Sequence, residues 1–361
     1  MSFRCLSVSR PAGVGARIGV APSHLAKARG FRTQRGESMN RRKPNLFVIG
    51  AMKSGTSYLR KLLRAHPDIF MCDPEEPSYF VDPPQLRMVW RDMWRRGLWR
   101  SEEQYLELFR PAGDARILGE ASTNYTKLPL VTGVCERIGD FNPEARFVYV
   151  MRDPVERAIS HYWHMVRFHA EHRPIAQAVR QDPQYLTVSD YAMQLRPYLR
   201  RFGRDRFAIL IHEQLVADPA GQMRDLYRWL GVNPLAADFS RFAEPENVGP
   251  DVLRMPGWKG IPRRLGQEPA LQIAIEWIPR NVFEVMSQLT TREVRRRTVD
   301  ATEAVAFLRS QQRRQADELA MLLGMSFPEW TTLYGASVPD VTVEHAAQAR
   351  PSGRSRSSAL S

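Results

Sequence analysis

Eight residues concentrate the chemistry of this chain: Gly50-Ala-Met-Lys-Ser-Gly-Thr-Ser57. Gly50 and Gly55 allow a tight turn and close approach of the backbone to a ligand. Lys53 adds a cation, and Ser54, Thr56 and Ser57 add hydroxyls. A loop of this kind, opening a helix, seats a phosphate or sulfate, because the first N–H groups of the helix are unpaired and its dipole is positive at that end. The two glycines are spaced as in the nucleotide P-loop, G-x-x-x-x-G-K-[ST], but the lysine of that pattern follows the second glycine. Here Thr56 holds that place and the lysine lies inside the loop at Lys53. The stretch is an anion cradle without the usual ATPase lysine.

Two further features carry titratable or charged groups. Glu75 and Glu76 sit side by side between Pro74 and Pro77, and adjacent carboxylates oppose each other's ionisation, which raises one pKa towards the range of a working base. On their own they read as solvated loop acids. Arg152 closes an apolar run and Ser160 follows two helical turns later, at the sheet edge where α/β proteins bind ligands. On their own these two read as a salt-bridged arginine and a capping serine.

The elements that must position these groups are legible. Leu46 to Ile49 is a short apolar run suited to a buried parallel strand, and Tyr58, Leu59, Leu62 and Leu63 recur at helical spacing before Pro67. Further strands are expected over Ile69–Cys72, Arg116–Glu120, Arg146–Met151 and Phe207–Ile211. Asp153 and Pro154 start a helix in which Glu156 is expected to close a capping box. Asp218, Pro219 and Gly231 bracket another. The tryptophans at Trp90, Trp94 and Trp99 read as packing, and Leu271 to Leu333 reads as mostly helical with a basic run at Arg292–Arg297. Strands alternating with helices imply an α/β, three-layer P-loop-type fold, a central parallel sheet flanked by helices.

Lys53-Ser-Gly-Thr-Ser57 on a strand-loop-helix resembles the 5′-phosphosulfate loop of the sulfotransferases that use 3′-phosphoadenosine 5′-phosphosulfate, particularly the carbohydrate (heparan sulfate) type and its bacterial relatives. Arg152-Asp-Pro-Val-Glu-Arg-Ala-Ile-Ser160 resembles the 3′-phosphate motif of the same family. The resemblance implies that Lys53, Ser54, Gly55, Thr56 and Ser57 hold the 5′ end of that co-substrate and that Arg152 and Ser160 hold its 3′-phosphate. It implies that Glu76, aligned through Tyr79 and Phe80 on the family's Lys-Glu-x-x-Phe-Phe motif, is the general base, with Lys53 stabilising the leaving phosphate. Glu75 stands where that motif has lysine. Glu120, Ser122 and Tyr125 match a Gly-Glu-x-Ser/Thr-x-x-Tyr segment that lines the acceptor site, and Lys259 and Gly260 weakly match a loop that closes over the nucleotide. No metal is required by this scheme.

Composition bounds the rest. The 361 residues carry 52 Lys plus Arg against 39 Asp plus Glu, a formal charge of +13, which favours anionic partners. Three scattered cysteines suggest neither a disulfide framework nor a zinc site. No apolar run approaches the length of a membrane span, and with so few cysteines a cytoplasmic protein is expected; the resemblance implies a small-molecule or glycan acceptor and no nucleic acid. Residues 1–43 read as a disordered basic leader or an over-extended start with Met39 as initiator, residues 44–335 as the sulfotransferase domain, and 336–361 as a disordered tail. Two alternatives stay open: a P-loop kinase using ATP and magnesium held by Asp153, and a non-catalytic basic binding protein.

Overall fold

The structure is a computed structural model that describes residues 42–168, 171–238, 251–256 and 291–335. Lys259, Gly260, the tail 336–361 and the leader up to residue 41 lie outside the described residues. Arg42 and Lys43, expected to belong to the leader, are tied to the fold: Arg42 donates to the carbonyls of Ala115 and Gly113 (2.7 and 2.5 Å), and the Lys43 ammonium lies 4.2 Å from the centre of the Phe141 ring.

Five parallel strands form the central sheet: β1 (Leu46–Gly50), β2 (Ile69–Met71), β3 (Ile117–Ala121), β4 (Arg146–Met151) and β5 (Phe207–Ile211), in the order β2-β3-β1-β4-β5. Strand periodicity sends alternate residues to opposite faces, and both faces are buried here. Phe47, Ile49, Phe147 and Tyr149 belong to one core cluster, and Leu46, Val48, Val148 and Val150 to the other. The first cluster is closed by helices α5 (Val134–Phe141), α6 (Pro154–Phe168) and α9 (Tyr191–Phe202). The second is closed by α1 (Thr56–Arg64) through Leu59, Leu62 and Leu63, and by α11 (Pro219–Leu230) through Met223, Leu226 and Tyr227. Each such fully buried side chain contributes roughly 1.5–3 kcal/mol, and the three-layer arrangement is the one expected.

Short helices α2 (Pro83–Val89), α3 (Arg91–Arg96) and α4 (Glu102–Glu107) follow β2, while α7 (Ile175–Gln181), α8 (Gln184–Thr187) and α10 (His212–Ala217) fill turns further along. The long helix α12 (Thr302–Leu323) lies on α6, α7 and α9 and is followed by α13 (Thr331–Tyr334). Part of the expected C-terminal helical region is instead a strand. Residues β7 (Thr291–Arg295) pair antiparallel with β6 (Val252–Pro256), with Leu253 opposite Val294. Leu253 is buried and Val294 packs on the core between exposed Glu293 and Arg295. That two-residue alternation is the strand signal the basic composition concealed.

Gly50 is where sheet and cradle meet. A Cβ there would lie 2.4 Å from Thr126 Oγ1 and 2.6 Å from the Tyr149 ring, both in the buried core. Gly50→Ala is therefore expected to destabilise the fold by about 1–3 kcal/mol through overpacking. Chemical denaturation checks this, and an unchanged midpoint would show that the core yields without cost.

Candidate active site

The cradle is the loop between β1 and α1. Lys53 has φ 70° and Gly55 φ 91°, both left-handed. Gly55 cannot carry a side chain, since a Cβ would come within 2.7 Å of His212 Nδ1. Gly55 is also the N-cap of α1 and offers no capping side chain, so the opening N–H groups of the helix remain available to an anion. Ser54 is fully buried with its Oγ unpartnered among the described residues, and Thr56 is buried beside it. Ser57 donates to Glu75 Oε1 at 2.7 Å, so its hydroxyl ties the cradle to the carboxylate loop.

Positive charge accumulates around Lys53. Burial, followed by the charges of Arg152, Arg296, Arg167 and Arg157, holds its ammonium below the usual lysine range. Like charges gathered in a half-buried place cost free energy unless an anion joins them. Arg152 leaves the end of β4 and meets Glu156 at 3.1 Å. Its backbone is fixed by Tyr191, whose hydroxyl donates to the Arg152 carbonyl at 2.7 Å. Ser160 lies half-buried two turns along α6. His212 is kept neutral by burial and by Arg152, its pKa lowered to about 4.

Asp153 caps α6, accepting from the N–H groups of Val155 (2.9 Å) and Glu156 (3.3 Å) with Oδ1 and from that of Leu333 (2.9 Å) with Oδ2. The expected capping box is incomplete. The Asp153 N–H goes to Glu213 Oε1 at 2.9 Å, while Glu156 turns to Arg152 and to the Thr332 hydroxyl at 3.1 Å. With both oxygens committed to backbone, Asp153 is placed as a structural clamp between α6 and α13, which removes the carboxylate on which the kinase alternative depended. Asp153→Ala should cost at least about 2 kcal/mol, because it leaves three buried amides unpaired. Hydrogen exchange should show the segment around Leu333 losing protection, and unchanged protection there would refute the clamp.

Glu76 has φ 57° and is turned inward. Its Oε1 accepts from the Thr123 N–H (3.0 Å) and hydroxyl (2.7 Å), and its buried Oε2 has no partner among the described residues. Burial raises its pKa, opposed by the Thr123 hydrogen bonds and the Lys127 charge. Arg96 braces the loop by donating to the carbonyls of Glu75 (3.0 Å) and Glu76 (3.2 Å). Left-handed φ at Lys53 and Glu76 costs of order 1 kcal/mol or more each, the kind of strain that gathers at functional sites.

The other candidates are placed differently. Glu120 is fully buried, accepts from the Tyr125 hydroxyl at 2.8 Å, and has its pKa raised to about 8 by burial. Ser122 accepts from the Ser78 N–H at 3.1 Å, and Tyr125 packs edge-on against Phe80. These contacts tie the segment that follows β3 to the Ser78–Phe80 loop. Trp94 and Trp99 stack at 5.7 Å and pack on the core, as expected.

Three cations escaped the sequence reading. Arg296 follows β7 and reaches the Lys53 and Arg152 charges; its signal was the basic run, misplaced into a helix. Arg157 is fully buried on α6, donating to Ser189 Oγ (2.5 Å) and the Tyr185 carbonyl (2.8 Å). Lys127 is buried beside the cradle, its Nζ 2.6 Å from Met52 Sδ. Single buried cations carry no spacing pattern, so only the fold reveals them.

Fold and cradle together define a P-loop-type α/β protein with a candidate anion cradle at the carboxyl edge of its sheet. The profile of the sulfotransferase family matches residues 44–236. The chain is 26% identical over 234 residues to mouse heparan sulfate glucosamine 3-O-sulfotransferase 3A1, covering 62% of this chain and 54% of that one. It is 27% identical over 239 residues to mouse heparan sulfate glucosamine 3-O-sulfotransferase 6, covering 63% of each. The chain thus spans less than two thirds of the length of these curated relatives. A sulfotransferase from Alicyclobacillus acidocaldarius superposes with a TM-score of 0.53 at 25% identity, over 80% of this chain and 99% of that structure. This chain belongs to the sulfotransferase family. Among the described residues no helix is long and apolar enough to cross a membrane, and no group of three or more His, Cys, Asp or Glu side chains is placed to hold a metal ion.

Proposed function

We propose that this protein moves a sulfuryl group from 3′-phosphoadenosine 5′-phosphosulfate to a hydroxyl of a carbohydrate-like acceptor, with Glu76 as general base. The observation that carries the reading is the union of two half-sites. An over-charged cation cradle is joined through the Ser57–Glu75 hydrogen bond to the loop that carries Glu76, whose Oε2 is buried and unpartnered among the described residues. The donor, when bound, supplies the sulfuryl group and a bisphosphorylated leaving group. Lys53, the unpaired amides of α1 and the Ser54 hydroxyl suit its 5′ end, and stabilisation of developing charge by such preorganised donors is usually the largest catalytic contribution. Arg152, Ser160 and, as an addition from the fold, Arg296 suit the 3′-phosphate. Glu76 takes the proton of the acceptor hydroxyl as that oxygen bonds to sulfur. The sugar character of the acceptor rests on the relatives named for heparan sulfate glucosamine.

The test is incubation with sulfur-35-labelled donor and a panel of glycans, simple alcohols and tyrosine peptides, followed by mass detection of added sulfate. Label on a glycan hydroxyl is expected. Label on the peptide alone would overturn the acceptor class, and no transfer to any acceptor, together with ATP-dependent phosphorylation, would overturn the reaction.

A further inference from the structure

The stretch 327–334 lies beyond the 44–236 span that the family profile covers, yet it closes on Arg152 by two routes. One runs through the side chain. Glu156, one helical turn along α6, accepts from the Arg152 guanidinium with Oε2 at 3.1 Å and from the Thr332 hydroxyl with Oε1 at 3.1 Å. Thr332 is 4% exposed and fixed in turn: its carbonyl accepts from Arg309 Nε on α12, and the next residue, Leu333, donates its N–H to Asp153 Oδ2 at 2.9 Å. The other route runs through the backbone. The Tyr191 hydroxyl donates to the Arg152 carbonyl at 2.7 Å and accepts from the Arg152 N–H at 3.3 Å. The Tyr191 ring packs 5.8 Å from that of Trp330, which is fully buried and stacked on Phe327 at 4.1 Å.

A long side chain loses rotamer freedom when it grips a ligand, and a site that has fixed it beforehand binds more tightly. The guanidinium fork has five N–H donors, and Glu156 meets it at Nη2, so donors are left for a phosphate. A carboxylate free to swing would hold the fork in no single place. Here its second oxygen is tethered to a hydroxyl buried in the C-terminal segment. We propose that Thr332 is a positioning residue for the nucleotide site: through Glu156 it fixes the Arg152 guanidinium in the orientation that receives the 3′-phosphate of the donor. The C-terminal segment thereby takes part in selecting a bisphosphorylated adenosine over a monophosphorylated one. The inference rests on the reading of Arg152 as the 3′-phosphate ligand.

Replacing Glu156 would remove an opposing charge together with the tether, so the Thr332 hydroxyl is the group to delete. The experiment is calorimetric titration of 3′,5′-bisphosphoadenosine and AMP into the wild type, Thr332→Val and Thr332→Ser, with steady-state kinetics in the sulfate donor. Valine keeps the branched shape and lacks the hydroxyl, whereas serine keeps the hydroxyl. Thr332→Val should bind the bisphosphate about 3- to 10-fold more weakly, the usual worth of one hydrogen bond, with AMP affinity within about twofold of wild type. The KM for the donor should rise by a similar factor while kcat holds, and Thr332→Ser should restore both. Discrimination retained in Thr332→Val overturns the proposal. So does equal weakening of the two nucleotides, the mark of a general loosening, or a serine variant no better than valine. A measurement on the wild type decides it even where a variant fails to fold. Nitrogen-15 relaxation of the Arg152 Nε–H, assigned with Arg152→Ala, should report a rigid side chain in the nucleotide-free protein, and averaging like that of exposed surface arginines overturns the proposal. Equal binding of the two nucleotides by the wild type would instead defeat the assignment of Arg152 to the 3′-phosphate, and the tether with it, so the wild-type titration alone tells the two failures apart.

Discussion

Lys53→Ala is expected to lower kcat/KM by about 10²–10³-fold, the effect of removing one preorganised donor from a site where charge develops. The reason lies in where the fold puts this lysine. It is held left-handed at φ 70° inside the cradle, burial and four arginines already depress its pKa, and no acid is among the causes of that shift. A lysine paired with a carboxylate would show the opposite sign. The same substitution should leave melting temperature unchanged or raise it, because it relieves repulsion among like charges. Turnover assays set beside thermal melting check both halves. Lost stability with retained turnover would make Lys53 a structural residue.

Glu76→Gln is expected to reduce kcat by about 10²–10⁴-fold, the usual contribution of a general base, while leaving affinity for 3′,5′-bisphosphoadenosine within about threefold. Glutamine keeps an oxygen to accept the Thr123 N–H and hydroxyl, so the turn survives, but the amide cannot take a proton. Burial raises the Glu76 pKa. A base must be ionised to act, so wild-type activity should rise with pH through that raised value and level off above it. The residual activity of Glu76→Gln should lack that limb. Full activity in the variant would place the base elsewhere. His161, buried against the Tyr185 ring at 4.9 Å with Nδ1 unpartnered, would then be the residue to replace next.

Much of the scaffold was legible because its signals are local. Apolar runs at Leu46, Arg146 and Phe207 became β1, β4 and β5, and the Asp218, Pro219 and Gly231 punctuation became the ends of α11. The cradle was legible for the same reason, since glycine and lysine at fixed spacing lie on one loop. What escaped depends on packing between distant segments. That Glu120 and Tyr125 are buried and hydrogen-bonded to each other is set by packing and leaves no mark on their spacing. Thr291–Arg295 has few apolar residues, and its strand character comes from pairing with residues 252–256. Lys127 and Arg157 are single cations in otherwise ordinary surroundings, and their importance comes from elements more than twenty residues away reaching the same pocket.

The central claim is that two anion sites, at the cradle and at Arg152, share one sheet edge and together recognise a doubly phosphorylated adenosine. Calorimetric titration with 3′,5′-bisphosphoadenosine and with AMP, on the wild type and on Arg152→Ala, tests it most directly. The bisphosphate should bind about 10- to 100-fold more tightly than AMP, the worth of a charge-assisted contact to the second phosphate, and Arg152→Ala should erase that difference while leaving AMP affinity nearly unchanged. Equal affinity for the two nucleotides in the wild type would contradict the claim.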